Sequence, residues 1–531
     1  MSIKQVLNKT NLNTDICVSG WVRTIRMSGS NLGFCNINDG SNVSGIQVVI
    51  TDEKLNDSEI ESFFNEAKTG SYIKCKGILI ESPASGQDFE LKLLEYELIG
   101  KIDESYPLCK SKMNLDTLRN FIHLRARTNT FGSIFRIRSS VMKILHDFYH
   151  DRGFLHLDPN IITTNECEGG AGVFQLTEND ITDINSLPKI QKLTPSNVAS
   201  QLGDTIEMIG NNIKNTASSL NNNNNTSDDL SDIVNCAANV FQNVTKRVND
   251  NIVELNTYDW NKDHFNCPTF LTVSSQLQLE AMACALGNVY TTNKSFRSEH
   301  SSTSKHVSEF THLEIEMVNN TLDDLMKISE DMIRYTISEL YKRNKEDILN
   351  LNKFISKGLD ERLQHLLKTD YKRIRYSDLI NEINSDIQEQ NLKIVKLQYN
   401  DDISSLHENY ITEKYNCPIF VTHWPLKIKS FYMKQCDNNE CESFDLLMPY
   451  GIGELIGASQ REENYEKLID NMKLKSVNME SMKFYTDLRL YGTCPHGGFG
   501  LGFDRLLMLM TGIQNIKDVI PFPVFYKSCK F

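Results

Sequence analysis

Residues 288–318, NVYTTNKSFRSEHSSTSKHVSEFTHLEIEMV, decide how the rest of the chain is read. The first part, NVYTTNKSF, is rich in β-branched and aromatic residues. The last part alternates strictly, Leu313, Ile315 and Met317 against His312, Glu314 and Glu316. Period two marks a strand with one buried face. The pattern predicts two antiparallel strands joined by the polar loop FRSEHSSTSKHVSEF, the second strand carrying an acidic outer face. Arg297 and Glu299 then stand at the base of the loop. A guanidinium on a rigid strand is well placed to neutralise a phosphate, and the aromatic that follows, Phe310, can stack on a base. Taken alone, the segment fits a salt-bridged surface hairpin equally well.

Two further stretches shift that balance. In HGGFGLGFDRLLMLMTG (496–512), Gly497, Gly498, Gly500 and Gly502 precede an amphipathic helix with Arg505 in its first turn. Glycines before a helix suggest a phosphate cradle. No G-K-[ST] follows, so this is not a P-loop, and too little chain remains for a dinucleotide-binding βαβ unit. In SFDLLMPYGIGELIGASQREE (443–463), Asp445 and Glu454 flank a Gly-rich turn. Two such carboxylates can hold Mg²⁺ against phosphate oxygens; two solvated acids are the plain alternative. The chain offers no Ser-His-Asp elbow, H-E-x-x-H or C-x-x-C.

At 531 residues the chain is long enough for two or more domains. Residues 1 to about 100 contain five short strand-like runs, from ICVSGWVRTI to FELKLLEYELIG, with one amphipathic segment, LNDSEIESFFNEAK. This fits a small Greek-key barrel of the OB type, a fold that often binds single-stranded nucleic acid. From about residue 129, apolar residues at helical spacing (Ile134, Ile137, Val141, Ile144, Leu145, Phe148) open a region without regular βαβ rhythm, so α+β with an antiparallel sheet is expected. Residues 181–262 read as an insertion, a helical hairpin around the Asn-rich tract SSLNNNNNTSDD.

A net charge of −13 weighs against non-specific nucleic-acid binding. It leaves room for a structured RNA meeting a local basic surface. RNFIHLRARTNTFGSIFRIR (119–138), with five arginines and no acid, is such a candidate or a solvated domain junction. Thirteen cysteines, an odd number, point to reduced thiols in a cytoplasmic protein. Cys436 and Cys441 have the wrong spacing for a zinc knuckle, so no structural zinc is expected. No apolar run is long enough to span a membrane, and no secretory or transit segment is expected from MSIKQVLNKTNLNT.

An arginine on an antiparallel strand, a carboxylate pair and a Gly-rich segment with an arginine on the next helix resemble the three signature regions of class II aminoacyl-tRNA synthetases. TFLTVSSQLQLEAMACALGNVY, the 296–310 loop, MPYGIGELIGASQREE and YGTCPHGGFGLGFDRLLMLMTGIQNIKDVIPFP resemble the asparaginyl-tRNA synthetase family nearly word for word, and GWVRT, HLRARTNTFG and CEGGAG agree. The resemblance covers the chain outside 181–262. It implies an OB-type anticodon-binding domain at 1–103, a hinge at 104–128 and a class II catalytic domain at 129–531. The implied reaction is ATP-dependent ligation of L-asparagine to tRNA(Asn) through an asparaginyl-adenylate, with Mg²⁺, in a homodimer.

By the same resemblance, Arg297 holds the α-phosphate and the substrate carboxylate, Glu299 meets the adenine side, and Phe310 and Arg505 enclose the adenine ring, with Gly502 beside them. His306 and His496 lie near the β- and γ-phosphates, and Asp445 and Glu454 carry Mg²⁺. Glu168 and Gln276 accept the substrate ammonium, Arg461 meets the amide oxygen, and Glu280 is a buried acid that repels aspartate. Related aspartyl enzymes have a lysine where this chain has Leu279. Phe34, Gln47 and Glu90 stack on and read anticodon bases, although Phe34 also fits a barrel core. His300, Ser302 and Lys305 depart from the usual pattern at the loop tip, and the first signature region is one residue longer than usual around Pro159. A non-discriminating aspartyl enzyme, an ammonia-using asparagine synthetase and a non-catalytic tRNA-binding paralogue are the competing readings.

Overall fold

The computed structural model describes residues 1–8, 12–29, 32–53, 55–84, 86–108, 113–165, 172–183, 187–188 and 258–530. The helical hairpin expected within 181–262 and the expected ammonium acceptor Glu168 lie outside the described residues. The chain divides into two compact units, Met1–Phe174 with Leu271–Phe531, and Gln175–Phe270.

Five strands near the N-terminus close into a barrel: β1 (Asp15–Met27), β2 (Leu32–Asn38), β3 (Ile46–Thr51), β4 (Tyr72–Glu81) and β5 (Phe89–Gly100), in the order β1-β2-β3-β5-β4. Closure leaves no open sheet edge, and alternate residues such as Val18, Val22, Ile37, Val48, Ile73 and Leu91 fill the interior. The amphipathic segment forms the helix Asp57–Glu66, which inserts Ile60 and Phe63 into the same core. Its start is fixed by a capping box: the Glu59 amide donates to Asn56 Oδ1 and the Asn56 amide donates to Glu59 Oε2, both at 2.9 Å.

The larger region is built on a mixed eight-stranded sheet. Its strands are β6 (Leu155–His156), β10 (Val289–Phe296), β11 (Glu309–Val318), β12 (Lys372–Arg375), β13 (Ile419–Pro425), β14 (Glu440–Met448), β15 (Gly453–Gln460) and β16 (His496–Gly502), in the order β12-β13-β14-β15-β16-β11-β10-β6. Between β6 and β10 the chain also forms the short strands β7 (Ile162–Thr163), β8 (Gln175–Leu176) and β9 (Thr269–Leu271). In the second unit Gln175 pairs with Phe270 and Leu176 with Thr269. The edge pairs β12–β13 and β6–β10 are parallel and the central pairs antiparallel. The helices Asn129–His150 and Leu322–Phe354 share one apolar core with the sheet, and all six apolar residues of the first helix named above are buried in it. Among the described residues no helix is long and apolar enough to cross a membrane.

Three expectations change here. The hairpin is present, with Phe296 opposite Glu309 and Val289 opposite Glu316, but its acidic face is not an outer one. Glu314 and Glu316 are 3% and 0% exposed, because β16 and the helix Gln276–Leu286 lie against β11. The glycines at 497–502 belong to the strand β16 and not to a loop cradle. They make room for side chains from neighbouring strands: a Cβ at Gly500 would stand 2.5 Å from His312 Nε2, and one at Gly498 would collide with the Glu316 carboxylate. The arginines of 119–138 face inward for the most part. Arg119 and Arg125 pair with Asp518, Arg136 with Asp347 and Arg138 with Asp504, so the stretch is chiefly a structural ion-pair junction.

Candidate active site

The loop between β10 and β11 and the start of the helix Phe503–Thr511 bound a cavity of about 170 Å³. Arg297, Glu299, His306, Phe310, Glu454, Gly502 and Arg505 all line it, together with Lys305, His312 and Gly457. The Arg297 guanidinium lies 5.7 Å from the centre of the Phe310 ring and 4.0 Å from a Glu299 oxygen. Arg505 Nη1 donates to the Glu454 carbonyl at 2.6 Å. The preceding residue, Asp504, accepts from the Thr311 amide at 2.9 Å and pairs with Arg138, which anchors the helix start to β11. Burial and the nearby Arg505 charge depress the His306 pKa, so its imidazole is neutral at physiological pH.

Glu454, which lines this cavity, has two further carboxylates near it, Asp445 and Glu408, and sequence reasoning found two of the three. Asp445 on β14 stands across from Gly457 on β15. A Cβ at Gly457 would lie 3.4 Å from Glu454 Oε1 and 3.8 Å from Asp445 Oδ1, so the glycine keeps open the space both acids face. The third is Glu408, from the helix Ser405–Tyr415, whose carboxylate crowds the position of Gly453 beside Lys305. Burial, reinforced by Glu454, pushes Glu408 up to about 7. Burial also raises Asp445 to about 7, against the attraction of Lys429, whose Nζ sits 2.6 Å from Asp445 Oδ2. Nothing local in LHENYITEKY marks Glu408, because its role depends on a helix meeting the sheet far away in sequence.

A second polar cluster is buried except for Gln276, which is partly exposed. Glu280 accepts from Gln276 Nε2 at 2.9 Å, the Tyr485 hydroxyl at 2.6 Å and Arg489 Nη2 at 3.0 Å; His496 Nε2 lies 3.1 Å away and Arg461 Nε 3.6 Å. Arg461 in turn grips Glu316 with Nε and Nη2, at 3.0 and 2.9 Å. Burial alone would raise Glu280, but the His496 hydrogen bond and the Arg489 and Arg461 charges hold it well below the usual carboxylate range. Burial opposes a charge on His496 too, and the bond to Glu280 outweighs it and raises the imidazole pKa. Gln276, Glu280 and Arg461 are thus brought together as expected.

His496 is not grouped with His306 as expected: it is 0% exposed within this cluster and absent from the lining of the cavity that His306 borders. The pairing of β16 with β11 places it opposite Val318, away from the loop end of the sheet. Glu316, Tyr485 and Arg489 were missed; only the alternation at 312–317 hinted at Glu316. Leu279 packs in a small core with Ala283 and Val289, and the polar face of its helix is supplied by positions 276 and 280.

On the barrel, Gln47 on β3 and Glu90 on β5 are register partners joined at 3.4 Å, and Glu90 also accepts from Ser82 and Gln87. Phe34 on β2 is half-buried, with Arg26 5.1 Å above its ring, and is not a core aromatic. Gln47 also borders a cavity of about 640 Å³ lined by Lys342, Arg343 and Lys345.

Comparison with known proteins gives consistent matches. A family described as class II tRNA synthetases (D, K and N) matches residues 114–196 and 234–525, and one described as an OB-fold nucleic acid binding domain matches 16–99. An asparagine–tRNA ligase of Azobacteroides pseudotrichonymphae is 36% identical over 532 aligned positions, spanning 100% of this chain and 98% of the relative. One from Borreliella burgdorferi is 34% identical, spanning 100% and 99%. Among solved structures, the asparaginyl-tRNA synthetase of Pyrococcus horikoshii complexed with asparaginyl-adenylate superposes with a TM-score of 0.74 at 23% identity, covering 98% of this chain and 96% of that one. A putative aspartyl-tRNA synthetase of Leishmania major reaches 0.70 at 19% identity, covering 100% and 94%, so the fold is shared across amino-acid specificities.

Proposed function

The chain belongs to the class II tRNA synthetases of the D, K and N group, and from that premise we propose that it ligates L-asparagine to tRNA(Asn) in two steps. Arg297 neutralises the α-phosphate while the amino-acid carboxylate attacks it, Phe310 and Arg505 sandwich the adenine, and Glu299 meets its edge. The protein forms no covalent bond; it aligns the reactants and balances charge. The tRNA ribose hydroxyl then takes the aminoacyl group, while Phe34, Gln47 and Glu90 hold the anticodon.

The observation that carries the choice of amino acid is the buried set around Glu280. Arg461 and Arg489 are already paired with Glu316 and Glu280 before any substrate enters. A side-chain carboxylate would add a third anion to a cluster whose two arginines are already paired, whereas an amide asks for one donor and one acceptor. Gln276 is held through Nε2 by Glu280, and its Oε1 is assigned to the substrate ammonium; Arg461, held in place by Glu316, is assigned to the amide oxygen. Asparagine-dependent exchange of pyrophosphate into ATP tests this: robust exchange with asparagine is expected, and equal exchange with aspartate refutes the stated specificity.

Asp445 and Glu454 fit Mg²⁺, since they present hard carboxylate oxygens to the space beside Gly457, with Glu408 next to them beside Gly453. The ion would neutralise charge on the β- and γ-phosphate oxygens. Because burial raises Asp445 and Glu408 to about 7, both carry protons in the empty site below that pH and lose them as pH rises. Apparent Mg²⁺ affinity is therefore expected to strengthen between pH 6 and 8. Glu408→Gln should flatten part of that dependence and weaken Mg²⁺ use; a pH profile identical to that of the unsubstituted enzyme would remove Glu408 from the site.

The same reading makes the enzyme a cytoplasmic homodimer. The edge strand β6 supports this, since Leu155 upon it is 48% exposed and Ile162 beyond it is 43% exposed. Sedimentation should give twice the chain mass, and a monomer at micromolar concentration would contradict it.

A further inference from the structure

We propose that Cys284, Cys494 and His496 form a binding site for a thiophilic divalent cation of the zinc class, distinct from the magnesium site. Cys284 sits near the end of the helix Gln276–Leu286, Cys494 lies two residues before β16, and His496 begins that strand. One ligand atom from each residue lies within 4.8 Å of the other two. In a tetrahedral zinc centre the bond lengths to sulfur and nitrogen put ligand atoms about 3.5–3.8 Å apart, so small side-chain rotations close the set. Among the described residues no other trio of potential ligands is grouped this closely. Both cysteines are half-buried, so an ion can reach them, while His496 forms the buried wall.

Without metal Cys284 is quiescent, since burial pushes its thiol up to about 12. Binding replaces the two thiol protons and any imidazolium proton, which pass to solvent, so affinity rises with pH. Three protein ligands leave a fourth position for water. The imidazole already uses both nitrogens: Nδ1 lies 2.8 Å from the Cys494 carbonyl and Nε2 3.1 Å from Glu280. Coordination through either nitrogen breaks one of these contacts, and through Nε2 it takes from Glu280 a partner that holds it ionised. Coordinated through Nε2, the cation acts on the amino-acid pocket from behind. That consequence rests on the function proposed above; the binding site itself does not.

The test is equilibrium dialysis of full-length protein against zinc, with cadmium absorbance to count thiolate bonds, for the natural chain and for Cys494→Ser and Cys284→Ser. The natural chain should hold one equivalent more than either variant, with affinity for it lost by more than the roughly 10–100-fold that removal of an outer partner costs. Zinc should raise the KM for asparagine in the natural chain, reversibly with chelator, and leave that of Cys494→Ser unchanged. Equal equivalents and affinities in all three proteins overturn the site. An extra equivalent in the natural chain without asparagine-dependent exchange in any of the proteins would keep the site and overturn the functional reading instead.

Discussion

Arg297→Ala is expected to lower asparagine-dependent pyrophosphate exchange by about 10²–10³-fold, the cost of removing one preorganised group that stabilises transition-state charge. In the proposed reaction negative charge builds on the α-phosphate as the carboxylate approaches, and Arg297 lines the cavity together with Glu299 and Phe310. Arg297→Lys keeps a charge but loses the planar fork, so partial recovery is expected. The Arg297 side chain is 31% exposed, so thermal stability should move little. A variant with full exchange activity, or one whose lost activity tracks lost folding, would contradict the assignment.

Glu280→Gln should have a larger and different effect. The substitution keeps the volume but removes the anion that Arg489, Tyr485 and His496 share. Taking one partner from a buried ion pair costs about 3–5 kcal/mol, because the remaining charge is left uncompensated. Stability should fall accordingly, and asparagine kcat/KM should fall by on the order of 100-fold or more as a separate effect, because buried polar groups facing the substrate are left unpaired. Discrimination should also shrink, since the unpaired cations now favour a substrate carboxylate. Kinetics with both amino acids measure this; an unchanged asparagine-to-aspartate ratio would show that Glu280 has no part in selection. The pH sign is definite. Glu280 is held below its unfolded value of about 4.3, so its contribution is full above that pH and fades as pH falls toward the lower folded value. The substitution should therefore destabilise the protein at pH 7 and matter progressively less below about pH 4.

How far the sequence could be read follows from the range of each interaction. Period-two alternation places β11, and its polar loop places Arg297, because both signals are local. The barrel strands were legible for the same reason. Burial of Glu314 and Glu316 was not, since an alternating strand looks the same whether its polar face meets water or a buried ion pair. The glycines of β16 were misread because a strand that makes room for Glu316 and His312 has the same composition as a phosphate loop. Glu408, Tyr485 and Arg489 reach their sites from distant helices, so no spacing in the chain marks them. The family resemblance grouped His496 with residues such as Arg297 and Arg505 that line one cavity, whereas its hydrogen bond to Glu280 puts it in the buried cluster instead.

The most direct measurement is competitive charging of tRNA(Asn) with asparagine and aspartate by the purified full-length chain. Asparagine should be preferred by about 10⁴-fold in kcat/KM, the discrimination available to a site whose buried polar groups fit one ligand. Comparable charging with aspartate, or no charging with either amino acid, would contradict the account.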